Sequence, residues 1–117
     1  MARGSISHIE FPAIDVERAK KFYAAIAGWE FSDYGGGYWV FRTEKGHGGG
    51  LGKRGESVGS VVRVYINVEN LEEAVAAAEA NGGKVVTPPS DIPGQGRFAA
   101  VTDTEGSEIG LYEVKPG

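Results

Sequence analysis

Cysteine is absent from the 117 residues, which excludes disulfides, thiolate metal centres and a cysteine nucleophile. Long apolar runs are missing too, none approaching the ~20 residues of a membrane span, and the first eight residues carry no apolar leader core. The expectation is a soluble, cytoplasmic protein with no membrane partner. A basic face is also lacking: 12 Lys and Arg stand against 16 Asp and Glu, for a net charge of −4 and a pI of about 5.2. The cations are scattered in pairs such as Lys20-Lys21 and Lys53-Arg54. Such a surface neutralises phosphates poorly, so nucleic acid is not an expected partner. Leucine is scarce as well, with three Leu against twelve Val and seven Ile. A β-branched surplus of that size favours strands over helices.

What the chain does have is glycine, 19 residues of 117, roughly double the usual ~7%. Without collagen periodicity, this means tight turns between short strands. Residues 5–11 (SISHIEF) alternate, with Ile6, His8 and Glu10 on one face, and Pro12 is expected to end the pairing. Asp15 reads as the N-cap of a helix to about Ala27, with Val16, Ala19, Phe22, Tyr23 and Ile26 as its apolar stripe and Gly28 as its stop. Residues 29–33 and 38–43 form a hairpin across Gly35-Gly36-Gly37. The Gly-rich stretch 46–52 has room for a short fourth strand ending near Lys53.

The same order then recurs. Residues 60–68 alternate, placing Val62, Val64, Ile66 and Val68 on one face and Val61, Arg63, Tyr65 and Asn67 on the other. Asn70 is a second N-cap, followed by the stripe Leu71, Ala74, Val75 and Ala78, which Gly82-Gly83 stops. Residues 84–86, 97–102 and 109–113 supply three more strands, with Pro88-Pro89, Pro93-Gly94 and residues 103–106 as turns. The helices align at an offset of 55 residues (Asp15 with Asn70, Gly28 with Gly83), and Gly50-Leu51 corresponds to Gly110-Leu111. An internal repeat of strand, helix and three strands predicts an α+β fold of two βαβββ modules, residues 5–56 and 60–114 of a single domain. The expected form is a curved sheet with helices on its outer face and a cavity on its inner one.

The segment HIEFPAIDVERAKKFYAAIAGWEF, the later GHGGGL and the terminal DTEGSEIGLYE resemble the vicinal oxygen chelate superfamily. That group includes glyoxalase I, bleomycin-resistance proteins and extradiol dioxygenases. The likeness runs from about Ile6 to Glu113 and is nearest to short glyoxalase-related proteins of unassigned activity. It implies that the two modules form a half-open, barrel-like sheet around a ligand site, with a divalent metal held by His or Gln on the first strand and Glu on the last strand of each module. His8 matches the first of these positions. The others fall on Arg63, Gly50 and Gly110, which cannot ligate, whereas catalytic metal sites need about three protein ligands. The expectation is therefore no tightly bound ion and no other cofactor, with His8 as the one surviving candidate ligand.

Read as residues alone, His8 suits proton transfer or a pocket wall, and Glu10 shares its face. Arg63, Tyr65 and Asn67 share a strand face on which a cation would meet a carboxylate or phosphate, unless Arg63 pairs with Glu10 or Glu113. Trp39, Phe41 and Phe98 serve either as core or as a stacking surface. His47 reads as a solvated loop histidine or a mobile ligand. The Gly50-x-Gly52-x-x-Gly55 spacing is followed by a strand rather than a helix, so a dinucleotide fingerprint fails.

Two functions follow from the resemblance. One is a lyase- or isomerase-type enzyme on a small polar or anionic carbonyl compound, with His8 and Glu10 catalytic and Arg63, Tyr65 and Asn67 binding the ligand. The other is a metal-free protein of bleomycin-resistance type that sequesters a small molecule. A homodimer is expected in either case.

Overall fold

The structure, a computed structural model, describes residues 3–114. Ten elements follow one another in the expected order. The first module comprises β1 (Ile6–Ala13), α1 (Val16–Ala27), β2 (Glu30–Asp33), β3 (Tyr38–Thr43) and β4 (Gly46–Lys53). The second comprises β5 (Arg63–Asn67), α2 (Leu71–Ala80), β6 (Lys84–Ile92), β7 (Gly96–Thr102) and β8 (Glu108–Val114). The fold is α+β and built of two βαβββ modules. By backbone proximity, His8–Val62 is one compact unit, and residues 63–114 with residues 3–7 are the other.

In the His8–Val62 unit the strand order is β2-β3-β4-β1, with β1 and β4 parallel and the remaining pairs antiparallel. The register runs through Pro12↔Gly52 to Ala13↔Lys53. Pro12 therefore does not end the strand as expected, since proline removes one ladder donor and leaves the carbonyls on either side free to pair. The Asp15 side chain accepts the Arg18 amide at 3.0 Å, and Gly28 closes α1 at φ 69°. That left-handed conformation suits a residue without Cβ.

The apolar stripe of α1 is narrower than expected. Val16, Ala19, Lys20 and Tyr23 are half-buried, whereas Phe22 and Ile26 are 56% and 65% exposed. The reason lies under the helix, where a compact set of rings leaves a narrow seat. Trp29 stacks on Phe41 with centroids 3.9 Å apart and on Tyr23 at 5.0 Å, and Phe11 meets all three rings within 6 Å. Lys20 lies with its ammonium 3.2 Å above the Trp39 ring, a cation–π contact. Phe41 and Trp39 are thus core and helix seat.

In the second unit the order is β5-β8-β7-β6, with β5 and β8 parallel. Its core is aliphatic: Leu71, Val75, Ala99, Val101 and Leu111, with Ile66, Val68, Ala74, Ala78 and Ile109 against them. Both Leu71 and Val75 lie on the expected α2 stripe. Burying five such side chains contributes roughly 1.5–3 kcal/mol for each of the larger ones. β5 is shorter than the alternation predicted, and Val62 before it is 50% exposed. β6 is longer: Pro88-Pro89 does not break it as a turn, because the ladder to β7 skips from Thr87↔Ala100 to Ser90↔Phe98 and asks neither proline for a donor. Glu113 accepts the Leu71 amide at 2.8 Å and also meets Arg97, which forms a fork with Glu72 at 2.7 and 2.8 Å. This network pins the start of α2 to β7 and β8.

Candidate functional site

The His8–Val62 unit gathers four polar side chains. His8 and Glu10 sit two apart on β1 and so share a face. Tyr38, opening β3, brings its hydroxyl between them, 2.7 Å from His8 Nε2 and 3.0 Å from Glu10 Oε2, to which it donates. On the other side of the imidazole, His47 Nε2 lies 2.8 Å from His8 Nδ1, with the two rings 5.0 Å apart and nearly parallel. His47 is not a loop residue as expected: it stands on β4, where a register shift between Phe41 and Arg42 pairs it with Arg42. Its side chain remains exposed.

Donor directions in this row follow from chemistry. An ionised carboxylate only accepts, so the Tyr38 proton points at Glu10 and the phenolic oxygen accepts from His8 Nε2–H. A neutral His8 with its proton on Nε2 has a lone pair on Nδ1, which accepts from His47 Nε2–H. Burial, and secondarily the His47 charge, hold the His8 pKa down to about 4, so the neutral imidazole is the form present near pH 7.

The Gly-rich β4 explains how Tyr38 reaches this place. A Cβ built on Gly50 would overlap the Tyr38 hydroxyl and come within 3.0 Å of His8 Nε2. The register pairs Val40 with Gly50 and Tyr38 with Gly52, so Tyr38 crosses Gly50 on the diagonal. Sequence reading missed Tyr38. The available signal was an aromatic two residues along a hairpin from the partner of a glycine.

In the second unit the matching positions are built differently. Arg63 forms a part-buried ion pair with Glu108, and its second guanidinium nitrogen donates to the Tyr65 hydroxyl at 3.1 Å. Glu108, rather than Glu10 or Glu113, is thus its carboxylate partner within this unit. The Tyr65 ring lies over Gly110, directly opposite it in the β5–β8 register, and Phe98 meets that ring edge-on at 6.4 Å. Asn67 is buried and donates to Ser5 Oγ at 2.8 Å, while its Oδ1 has no partner among the described residues. It lines a cleft of about 270 Å³ with Arg3, Val68, Glu69, Glu113 and Val114, which does not include Arg63 or Tyr65. Of the residues expected to act together, His8 joins Glu10 and Arg63 joins Tyr65, while Asn67 stands apart from the latter two.

Comparison with known proteins accords with this architecture. The profile of the Glyoxalase/Bleomycin resistance protein/Dioxygenase superfamily matches residues 5–111. A glyoxylase-like domain-containing protein of Didymella fabae is 36% identical over 128 residues, covering 97% of this chain and 96% of the relative. The protein named "Putative glyoxylase CFP32" from Mycobacterium tuberculosis is 28% identical over 121 residues, covering 96% of this chain and 46% of the relative. The chain therefore spans about half the length of the relatives of that name. Among solved structures, a superfamily member from Vibrio splendidus 12B01 superposes with a TM-score of 0.69 at 13% identity, over 95% of this chain and 100% of that one. The chain belongs to the Glyoxalase/Bleomycin resistance protein/Dioxygenase superfamily.

Proposed function

We propose that this protein is a lyase- or isomerase-type enzyme that moves a proton on a small polar carbonyl compound, with Glu10 and Tyr38 as the acid–base pair. The observation that carries this reading is the Tyr38 hydroxyl held between a carboxylate and an imidazole, at 3.0 and 2.7 Å. A phenol in that position donates to a carbonyl oxygen as charge develops there, and the carboxylate beside it accepts a carbon-bound proton. His8 orients the phenol and stays neutral.

The residues at the family's ligand positions do not fit a divalent metal. Glycine stands at both last-strand positions and Arg63 carries a positive charge. Among the described residues no three His, Asp or Glu side chains are grouped so as to hold a metal ion, and His8 Nε2 already faces a phenol. No step of the proposed chemistry uses an ion.

The test is a panel of small 2-oxo and 2-hydroxy carbonyl compounds incubated with the protein in D₂O and followed by ¹H NMR. At least one compound is expected to exchange its α-hydrogen, with the rate lost by a factor on the order of 10²–10⁴ in Glu10→Gln. Binding of a panel compound without any exchange would overturn the enzymatic reading and leave a small-molecule binding protein.

A further inference from the structure

We infer that His47 is the solvent-side port of a proton relay, which runs through His8 and Tyr38 and resets Glu10 after each transfer. The inference deepens the proposed proton-transfer chemistry and rests on it for its purpose, though its geometry stands alone. Three consecutive contacts of 2.8, 2.7 and 3.0 Å join four side chains from three strands of one unit. With Glu10 ionised and His8 protonated on Nε2, every donor along the row points toward Glu10. The far end is an exposed imidazole whose second nitrogen, Nδ1, takes no part in the row.

The transfer balances. A proton arriving at His47 Nδ1 sends the Nε2 proton of His47 to His8 Nδ1. The Nε2 proton of His8 passes to Tyr38 Oη, and the phenolic proton passes to Glu10 Oε2. One proton enters and one is delivered, and all four groups end neutral. Delivery leaves both imidazoles protonated on Nδ1, and from that second state the same shifts run backwards and carry one proton from Glu10 out to water. The arrangement also accounts for His47 on a strand otherwise made of glycine and one leucine before Lys53. A merely solvated histidine there would have no reason to meet a half-buried imidazole edge to edge.

The experiment reads the relay without substrate. Two-bond ¹H–¹⁵N correlation on ¹⁵N-histidine-labelled protein assigns the tautomers, and saturation transfer from water gives the exchange rate of His8 Nε2–H. In the wild type, His8 is expected to be neutral with its proton on Nε2. In His47→Gln, whose amide still donates to His8 Nδ1 but cannot pass a proton on, exchange should slow at least about tenfold. In His47→Gly, exchange should be slow and be restored by added imidazole.

A His8 proton on Nδ1, or unchanged exchange in His47→Gln, would overturn the relay. If exchange is unchanged while α-hydrogen exchange on a carbonyl compound still depends on Glu10, the relay falls and the proposed function stands. If the relay holds and no compound loses an α-hydrogen, the proposed function falls alone.

Discussion

The two modules answer the same structural question in opposite ways. Each has a glycine on its last strand, Gly50 or Gly110, and each lays a tyrosine over it. In the first module the tyrosine comes from a neighbouring hairpin strand and presents its hydroxyl, so the space is filled by a group that can exchange protons. In the second, Tyr65 comes from the strand directly opposite and presents its ring, so the space is filled by apolar surface. The first-strand residue follows suit. His8 remains neutral in a row of hydrogen bonds, whereas Arg63 is tied to Glu108. One module thus keeps a hydrogen-bonded row of titratable groups where its twin has an ion pair. The cores differ in the same sense, aromatic stacking under α1 against aliphatic packing under α2.

The sharpest way to break this comparison is to give both glycines a methyl group. Gly110→Ala should destabilise by about 3 kcal/mol, since overpacking a buried ring forces backbone or rotamer shifts. Three atoms of the Tyr65 ring lie over that position, and Tyr65 is only 8% exposed. Gly50→Ala should cost about 1 kcal/mol, because only the far end of Tyr38 must swing away. The proposed proton-transfer activity should nevertheless fall in Gly50→Ala and not follow stability in Gly110→Ala. Equal losses in urea unfolding would show that the two tyrosines are not held differently.

Breaking the Arg63–Glu108 pair comes next. Arg63→Met strands a part-buried carboxylate and should cost about 2 kcal/mol, while Arg63→Met with Glu108→Leu should recover most of it. A double variant no more stable than the single one would show that the pair is not the closed unit described.

Stability against pH should separate the modules at a comparable size. The unfolded His8 takes up a proton near pH 6.5, whereas the folded one does so only near 4. Unfolding therefore binds a proton between those values, and stability falls as pH drops from about 6.5 to about 4. For a half-buried group the discounted contribution is about 2 kcal/mol. Measured as wild type minus His8→Gln, the difference should be constant above pH 7.5 and shrink by that amount as pH falls to about 4. A pH-independent difference would place the His8 pKa at its ordinary value.

The smallest effect belongs to the second module's helix anchor. Arg97→Ala removes the fork to Glu72 and the contact with Glu113. It should lower stability by less than any variant above, since the charges it joins are solvent-screened. Half-molar salt should reduce that loss.

Much of the fold was legible because it is written in local signals. Asp15 and Asn70 announce the helix starts, and each side chain does accept the amide three residues on. Alternation placed His8 with Glu10 and Tyr65 with Arg63. The misreadings also share a cause. Pro12, Pro88 and Pro89 read locally as breaks, yet a strand persists when its partner does not call on the missing donor. Phe22 and Ile26 fit a helical stripe, but the width of the seat beneath a helix is a property of other elements.

Composition, caps and the repeat by themselves determined the fold class and the order of elements, since each depends on contacts among residues near in sequence or on periodicity. The motif resemblance, not periodicity, carried the family and its four ligand positions, three of which fall on Arg63, Gly50 and Gly110, residues with no ligating side chain. What took their place was decided only in three dimensions. Gly50 is silent in sequence, and Tyr38 and His47 reach His8 across 30 and 39 residues, through a hairpin diagonal and a strand irregularity. Which side chain enters a space left empty by a glycine depends on register and reach, and neither is encoded by any one stretch of chain.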